Sequence, residues 1–183
     1  MDRFQRLYDQ LPDVSPHDEE KFWKSIPLEL QRRLCRLGCS DNDENVRFLC
    51  AERLYHVYEV ADEFRFWTFT SDRSSLVRSS GADGLALFPS ERSRKRLMRM
   101  LKDSSWLVRG CALTALVRIG VDQDVLLPYF WNEPHPYTQV SMVEDFYQND
   151  ELYEWLAGRV ACEGSLGRYA AEITVRVDKL RSK

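Results

Sequence analysis

The sequence predicts an all-α fold of about five stacked helical hairpins behind an N-terminal helical cap. Three observations carry this. The pattern Asp-x4-Val-Arg-x2-small-x3-Leu occurs at Asp41–Leu54, Asp72–Leu85 and Asp103–Leu116, each copy 31 residues from the next. Internal periods of this length signal stacked supersecondary units. Between the copies, apolar residues recur at helical spacing and end at glycine or proline, and no segment alternates with the period of a strand.

Taken in order, residues 1–25 form the cap. Phe4, Leu7, Tyr8 and Leu11 share one face of a short helix ended by Pro12, and Ser15-Pro16-His17-Asp18 opens a second helix carrying Phe22 and Trp23. Repeat one spans about 26–60, with a first helix A near 27–38 (Leu30, Leu34, Leu37) and a helix B near 43–60 (Val46, Cys50, Leu54, Val57). Repeat two, about 61–88, pairs an aromatic helix A near 61–70 with a helix B near 73–87. That helix B contains Gly81 and Gly84, each costing about 1 kcal/mol against alanine, which makes sense if another helix packs very close. Repeat three, about 89–120, has helices near 90–102 and 104–119, stopped by Gly120. Repeat four, about 121–148, is degenerate: its helix A near 122–131 runs into Asn132-Glu-Pro-His-Pro136, and Pro134 stands where the aspartate is expected. Repeat five, about 149–181, has helices near 150–161 and 165–181. The whole reads as one domain over 1–183.

This register resembles the HEAT-repeat superfamily, in particular its short bilin-lyase-type repeats. The resemblance is close over 90–120, good over 40–57 and 71–88, and weak beyond 120. It implies a right-handed α-α superhelical solenoid with A helices convex and B helices concave. It also implies mostly protein-binding or scaffolding roles, with enzymes a minority. Asp41, Asp72 and Asp103 stand just before a B helix, where a carboxylate accepts from free N–H groups and meets the positive end of the helix dipole. The resemblance further implies that these aspartates pair with Arg47, Arg78 and Arg109 as a structural ladder, so the arginine row is not read as a phosphate-binding stripe.

Composition excludes little else. The formal charge of −3 gives no global attraction to nucleic acid or anionic membrane. The N-terminus has no apolar run of a signal peptide, no stretch is long enough to span a bilayer, and the five cysteines do not pair by spacing, so a reduced cytoplasmic protein is expected. Cys35, Cys39, Cys50 and His56 are the only conceivable metal set, but their spacing does not form the close ligand pairs of a zinc site, and buried small hydrophobes account for the cysteines better. No nucleophile–histidine–acid set or phosphate loop is legible, and no cofactor is expected. The tryptophan followed one turn later by aspartate that HEAT-like DNA glycosylases would imply is absent.

Charge is segregated. Arg92, Arg94, Lys95, Arg96, Arg99, Lys102, Arg109 and Arg118 face Asp103 alone, whereas 119–158 holds eight acids and no lysine or arginine, among many aromatics. Either that acidic, aromatic stretch meets a basic protein partner, or the basic helix simply neutralises it. The expected function is a non-enzymatic interaction module, with an immunity or inhibitor protein for a basic toxin as its sharper form. The alternatives are a HEAT-like enzyme of glycosylase or bilin-lyase type, or nucleic-acid binding through 92–102. Candidate contacts at solvent-facing B-helix positions are Glu44, Phe48, Glu52, Ser79 and Asp83 in the first half. In the second half they are Trp106, Gly110 and Thr114, then His135 and Tyr137, then Glu144 and Tyr147; Glu133 and Asp145 join them as acids of the repeat-four acidic-aromatic region.

Overall fold

Polar residues ahead of several apolar runs mark where those helices begin. In the computed structural model, which describes residues 3–15 and 17–183, the side chains of Asp43, Ser90, Asp122, His135 and Asn149 each accept a backbone N–H at a helix start. The regular elements of the described residues are all helices, with no strand among them. The helices are α1 (Arg3–Gln10), α2 (Glu19–Lys24), α3 (Leu28–Gly38), α4 (Glu44–Val57), α5 (Glu63–Phe69) and α6 (Ser75–Leu85). They continue with α7 (Glu91–Met100), α8 (Trp106–Arg118), α9 (Gln123–Trp131), α10 (Pro136–Met142), α11 (Asp150–Val160) and α12 (Ser165–Arg181). The fold class is that of the α solenoids, and the contacts divide the chain into two compact units, 1–88 and 89–183.

In the first unit α3 packs on α4, α5 on α6, and the two B helices α4 and α6 pack on each other. The cap lies against this pair: α1 contacts α3, and the 3-10 turn Leu11–Asp13 contacts α4. Leu11, Trp23 and Ile26 are buried there, and the Gln31 amide donates to the carbonyls of Trp23 and Ile26 at 2.8 and 2.7 Å. The expected Ser15-Pro16 helix start differs in detail. Pro16 lies outside the described residues, α2 begins only at Glu19, and the Ser15 hydroxyl accepts from the Asp18 N–H at 3.3 Å one turn ahead of it. The two interior glycines of α6 mark a close approach. A Cβ on Gly84 would stand 1.8 Å from the Phe66 ring, and one on Gly81 would stand 2.7 Å from the Thr70 nitrogen, so α5 could not pack this tightly on any larger residue.

In the second unit α7 packs on α8 and α11 on α12, while the B helices α8, α10 and α12 contact one another in series. Gly120, at φ +79°, ends α8: its N–H donates to Val117 and the Val121 N–H to Leu116, both at 3.0 Å, the paired bonds of a left-handed glycine stop. The segment expected to form the degenerate repeat four has short helices. Helix α9 carries Pro128 in its interior, and α10 runs for only seven residues before turns take over at 143–148. Phe130, Val140, Phe146, Leu152, Leu156 and Ile173 still close a continuous core across this irregular region.

Candidate functional site

The arginine–carboxylate ladder sets the frame on which any surface must stand. Arg47 donates from Nε and Nη2 to the two carboxylate oxygens of Asp72 at 2.9 and 3.0 Å, while Nη1 donates to the carbonyls of Asp41 and Asn42. Arg109 repeats the geometry, with Nε and Nη2 both 2.7 Å from the Glu133 carboxylate and Nη1 on the carbonyls of Asp103 and Ser104. Arg78 places its Nη1 on the Asp72 and Arg73 carbonyls in the same manner. Each motif aspartate also accepts an N–H two residues on: Asp41 from Asp43, Asp72 from Ser74, Asp103 from Ser105. Burial alone would raise the Asp72 carboxyl, but the Arg47 guanidinium and the Ser74 N–H outweigh it and hold the carboxyl below its usual range.

Two ladder members escape the sequence pattern. Glu133, expected on a partner-binding surface, is only 7% exposed and belongs to this frame. Pro134 does stand at the aspartate register, but the carboxylate is not lost. It comes one residue earlier on a side chain one methylene longer, and the His135 N–H donates to it at 2.9 Å just as Ser74 does to Asp72. At the other end, the Tyr8 hydroxyl of the cap donates to Asp41 at 2.5 Å, supplying the donor that no preceding repeat offers.

Above this frame the second unit carries a row of aromatic rings at the N-terminal ends of its B helices. Trp106, the first residue of α8, is 46% exposed and stacks flat on His135, with centroids 4.4 Å apart and planes 4° apart. His135 leads to Tyr137 at 6.0 Å, and Tyr137 to Tyr169 of α12 at 5.7 Å. The sequence builds this locally. Pro136 keeps His135 extended, at φ −92° and ψ 110°, because a residue before proline is pushed away from helical geometry. Pro136 itself then starts α10 without losing a needed donor. The His135 Nδ1 accepts from the Thr138 N–H at 3.3 Å and lies 3.0 Å from its hydroxyl, which fixes the ring and leaves the proton of the neutral imidazole on Nε2. The Tyr137 hydroxyl is likewise held, 2.5 Å from Ser165 Oγ. Hydrogen bonds therefore hold His135 and Tyr137 in place, while Trp106 and Tyr137 remain exposed.

The structure brings Trp106, His135 and Tyr137 together and scatters the other candidates. Gly110 lies one turn below Trp106 on α8, where a Cβ would stand 3.2 Å from the Thr138 methyl. Thr114, another turn down, donates to the half-buried Asp145 at 2.5 Å, and burial pushes that carboxyl above its usual range despite the bond. Glu144 lies 3.5 Å from Arg176 of α12, and the Tyr147 carbonyl accepts from Arg181. In the first unit Ser79 is a correction: it is 5% exposed, turned inward, with its hydroxyl bonded to the Leu76 carbonyl. Glu52 accepts from Ser80 at 2.6 Å, Asp83 is half-buried, and Glu44 is exposed. Phe48 lines a cavity of about 260 Å³ with Leu11, Pro12, Val14 and Leu49.

Some of the segregated charges are paired within the chain. On α7, Lys95 and Arg94 lie 3.5 and 3.9 Å from Glu91 of the same helix. Three of the eight acids of 119–158 have basic partners on α8 and α12: Glu133 with Arg109, Glu144 with Arg176, Asp150 with Arg181. Cys35, Cys39 and Cys50 are buried together in the α3–α4 hairpin, where burial raises the first two thiols well above their usual range, so they pack as thiols. His56 is exposed, and among the described residues no group of three histidines, cysteines or acids is placed to hold a metal ion. No helix of the described residues is long and apolar enough to cross a membrane.

Sequence reasoning missed Tyr169, Tyr8 and a buried carboxylate at Asp62. Asp62 is fully buried ahead of α5 and bonds to Arg36 at 2.9 and 3.0 Å and to Arg65 at 2.9 Å. For Tyr169 a signal existed, since it falls one residue past the position 31 after Tyr137.

Comparison with known proteins agrees with this architecture. Residues 63–143, from the start of α5 to just beyond α10, match the family model described as HEAT repeats. The match supports the HEAT-repeat superfamily, whose members commonly serve as protein-interaction scaffolds; it does not reach the finer bilin-lyase type. No curated protein matches the chain.

Proposed function

We propose that this chain is a non-enzymatic protein-interaction module whose contact centres on Trp106, His135 and Tyr137, extended by Tyr169. One observation carries the reading. Trp106 is a large aromatic held flat against His135 and left nearly half exposed. Ordered aromatic faces that bury fully only against a partner are the usual centres of binding energy in protein interfaces. The ladder beneath supplies rigidity, so little side-chain freedom is lost on binding. An immunity or inhibitor protein that neutralises a basic toxin is the sharper form of this reading, and the acids of the second unit motivate it.

The test is quantitative affinity purification from native extract with wild type and with Trp106→Ala/Tyr137→Ala, matched for folded content by circular dichroism. The reading expects the double variant to lose the partners that wild type retains, because truncating a hot-spot aromatic weakens binding by about 30-fold or more. Equal recovery of every partner by the two proteins would refute it.

A further inference from the structure

The second unit also carries exposed acids on α9 and α11, away from its B helices. On α9 the exposed positions Asp124, Pro128 and Trp131 recur at spacings of four and three residues and so share one helix face. On α11, Glu151 lies one turn before Trp155, and Glu154 is exposed beside it. The two helices meet through their aromatics: Trp155 stands 5.3 Å from Phe130 and 6.2 Å from Trp131, both edge-on. Trp131 nevertheless remains 41% exposed. Asp150, Glu144 and Glu133 are tied to arginines, whereas Asp124, Glu151 and Glu154 make no ion pair among the described residues. Trp155 already receives one cation, with the Arg159 guanidinium 4.8 Å above its ring.

We propose that the α9–α11 face, built on Trp131 and Trp155 and flanked by Asp124, Glu151 and Glu154, docks a basic segment of a protein partner that carries an apolar anchor. It lies on different helices from the aromatic row and rests on different residues, so either surface can fail alone. Charge complementarity chooses the occupant. Unpaired carboxylates on both helices attract arginine or lysine and speed encounter. The open Trp131 ring offers a partner cation the kind of seat that Arg159 takes on Trp155, with apolar area beside it for the anchor.

A labelled short peptide of arginine and leucine, followed by fluorescence anisotropy, is the probe, with the same peptide bearing glutamate for arginine as its counterpart. Wild type is expected to bind the arginine peptide and not the glutamate one. Trp131→Ala and Glu151→Lys/Glu154→Lys should each weaken binding about tenfold, and added salt should weaken the wild-type complex. Reversing two acids of the other unit, Glu19→Lys/Glu20→Lys, should leave binding nearly unchanged. Thermal melts of each variant show whether it is folded. Failure of folded wild type to prefer the arginine peptide overturns the proposal. So does an equal loss with Glu19→Lys/Glu20→Lys, or full binding by folded Trp131→Ala.

Discussion

Arg47 in the first unit and Arg109 in the second do the same mechanical work with different partners. Arg47 reaches an aspartate 25 residues on; Arg109 reaches a glutamate 24 residues on, because Pro134 occupies the aspartate register. In both, two parallel N–H···O bonds tie one hairpin to the next and the remaining nitrogen closes two backbone carbonyls. What the geometry preserves is a forked carboxylate at one point in space. Residue type and register are free to change together, provided the added methylene makes up for the shortened spacing.

The two pairs differ in burial, and that difference sets the largest expected effect. The Glu133 side chain is 2% exposed, against 15% for Asp72. Arg109→Ala leaves an almost dry carboxylate without its counter-charge and should destabilise the second unit by about 3–5 kcal/mol. Arg47→Ala should destabilise by less, since water reaches Asp72. Urea denaturation of the two variants checks the order; a larger loss from Arg47→Ala would break the comparison.

A smaller effect contrasts Asp72 with Asp145 as pH changes. Asp72 has its folded carboxyl held down, so it stabilises above the ordinary aspartate range, and that contribution disappears as pH falls through the folded value. Asp145 has the opposite shift: its folded carboxyl is pushed up, so its stabilising contribution exists below the ordinary 3.8 and disappears as pH rises through the folded value. Near neutral pH, Asp72→Asn should therefore destabilise and Asp145→Asn should slightly stabilise. Both differences from wild type should shrink in acid, which melting temperatures across a pH series would show.

Much of the fold was legible because the repeat is local. Helices expected near 104–119 and 122–131 run over Trp106–Arg118 and Gln123–Trp131, since caps, stops and apolar spacing act within a few residues. Legibility ended where the loops change length. A one-residue slip hid Glu133 behind Pro134, and the carboxylate then read as a surface acid. Ser79 read as outward-facing because the pattern fixes a helix face only to within one position, which on a thin helix decides between core and solvent. Of the candidate surface, Trp106, His135 and Tyr137 could be named singly. Their stacking depends on how α8 and α10 pack, and Tyr169 joins from a helix whose register has drifted by one.

The proposed contact at this row can be tested by site-specific photo-crosslinking in the native cell. A photoreactive residue is placed at the exposed Ser104, beside Trp106, and separately at the exposed Arg73, the equivalent position 31 residues earlier. A discrete adduct with another protein is expected from position 104 and none from position 73. An adduct from 73 with none from 104 would contradict it.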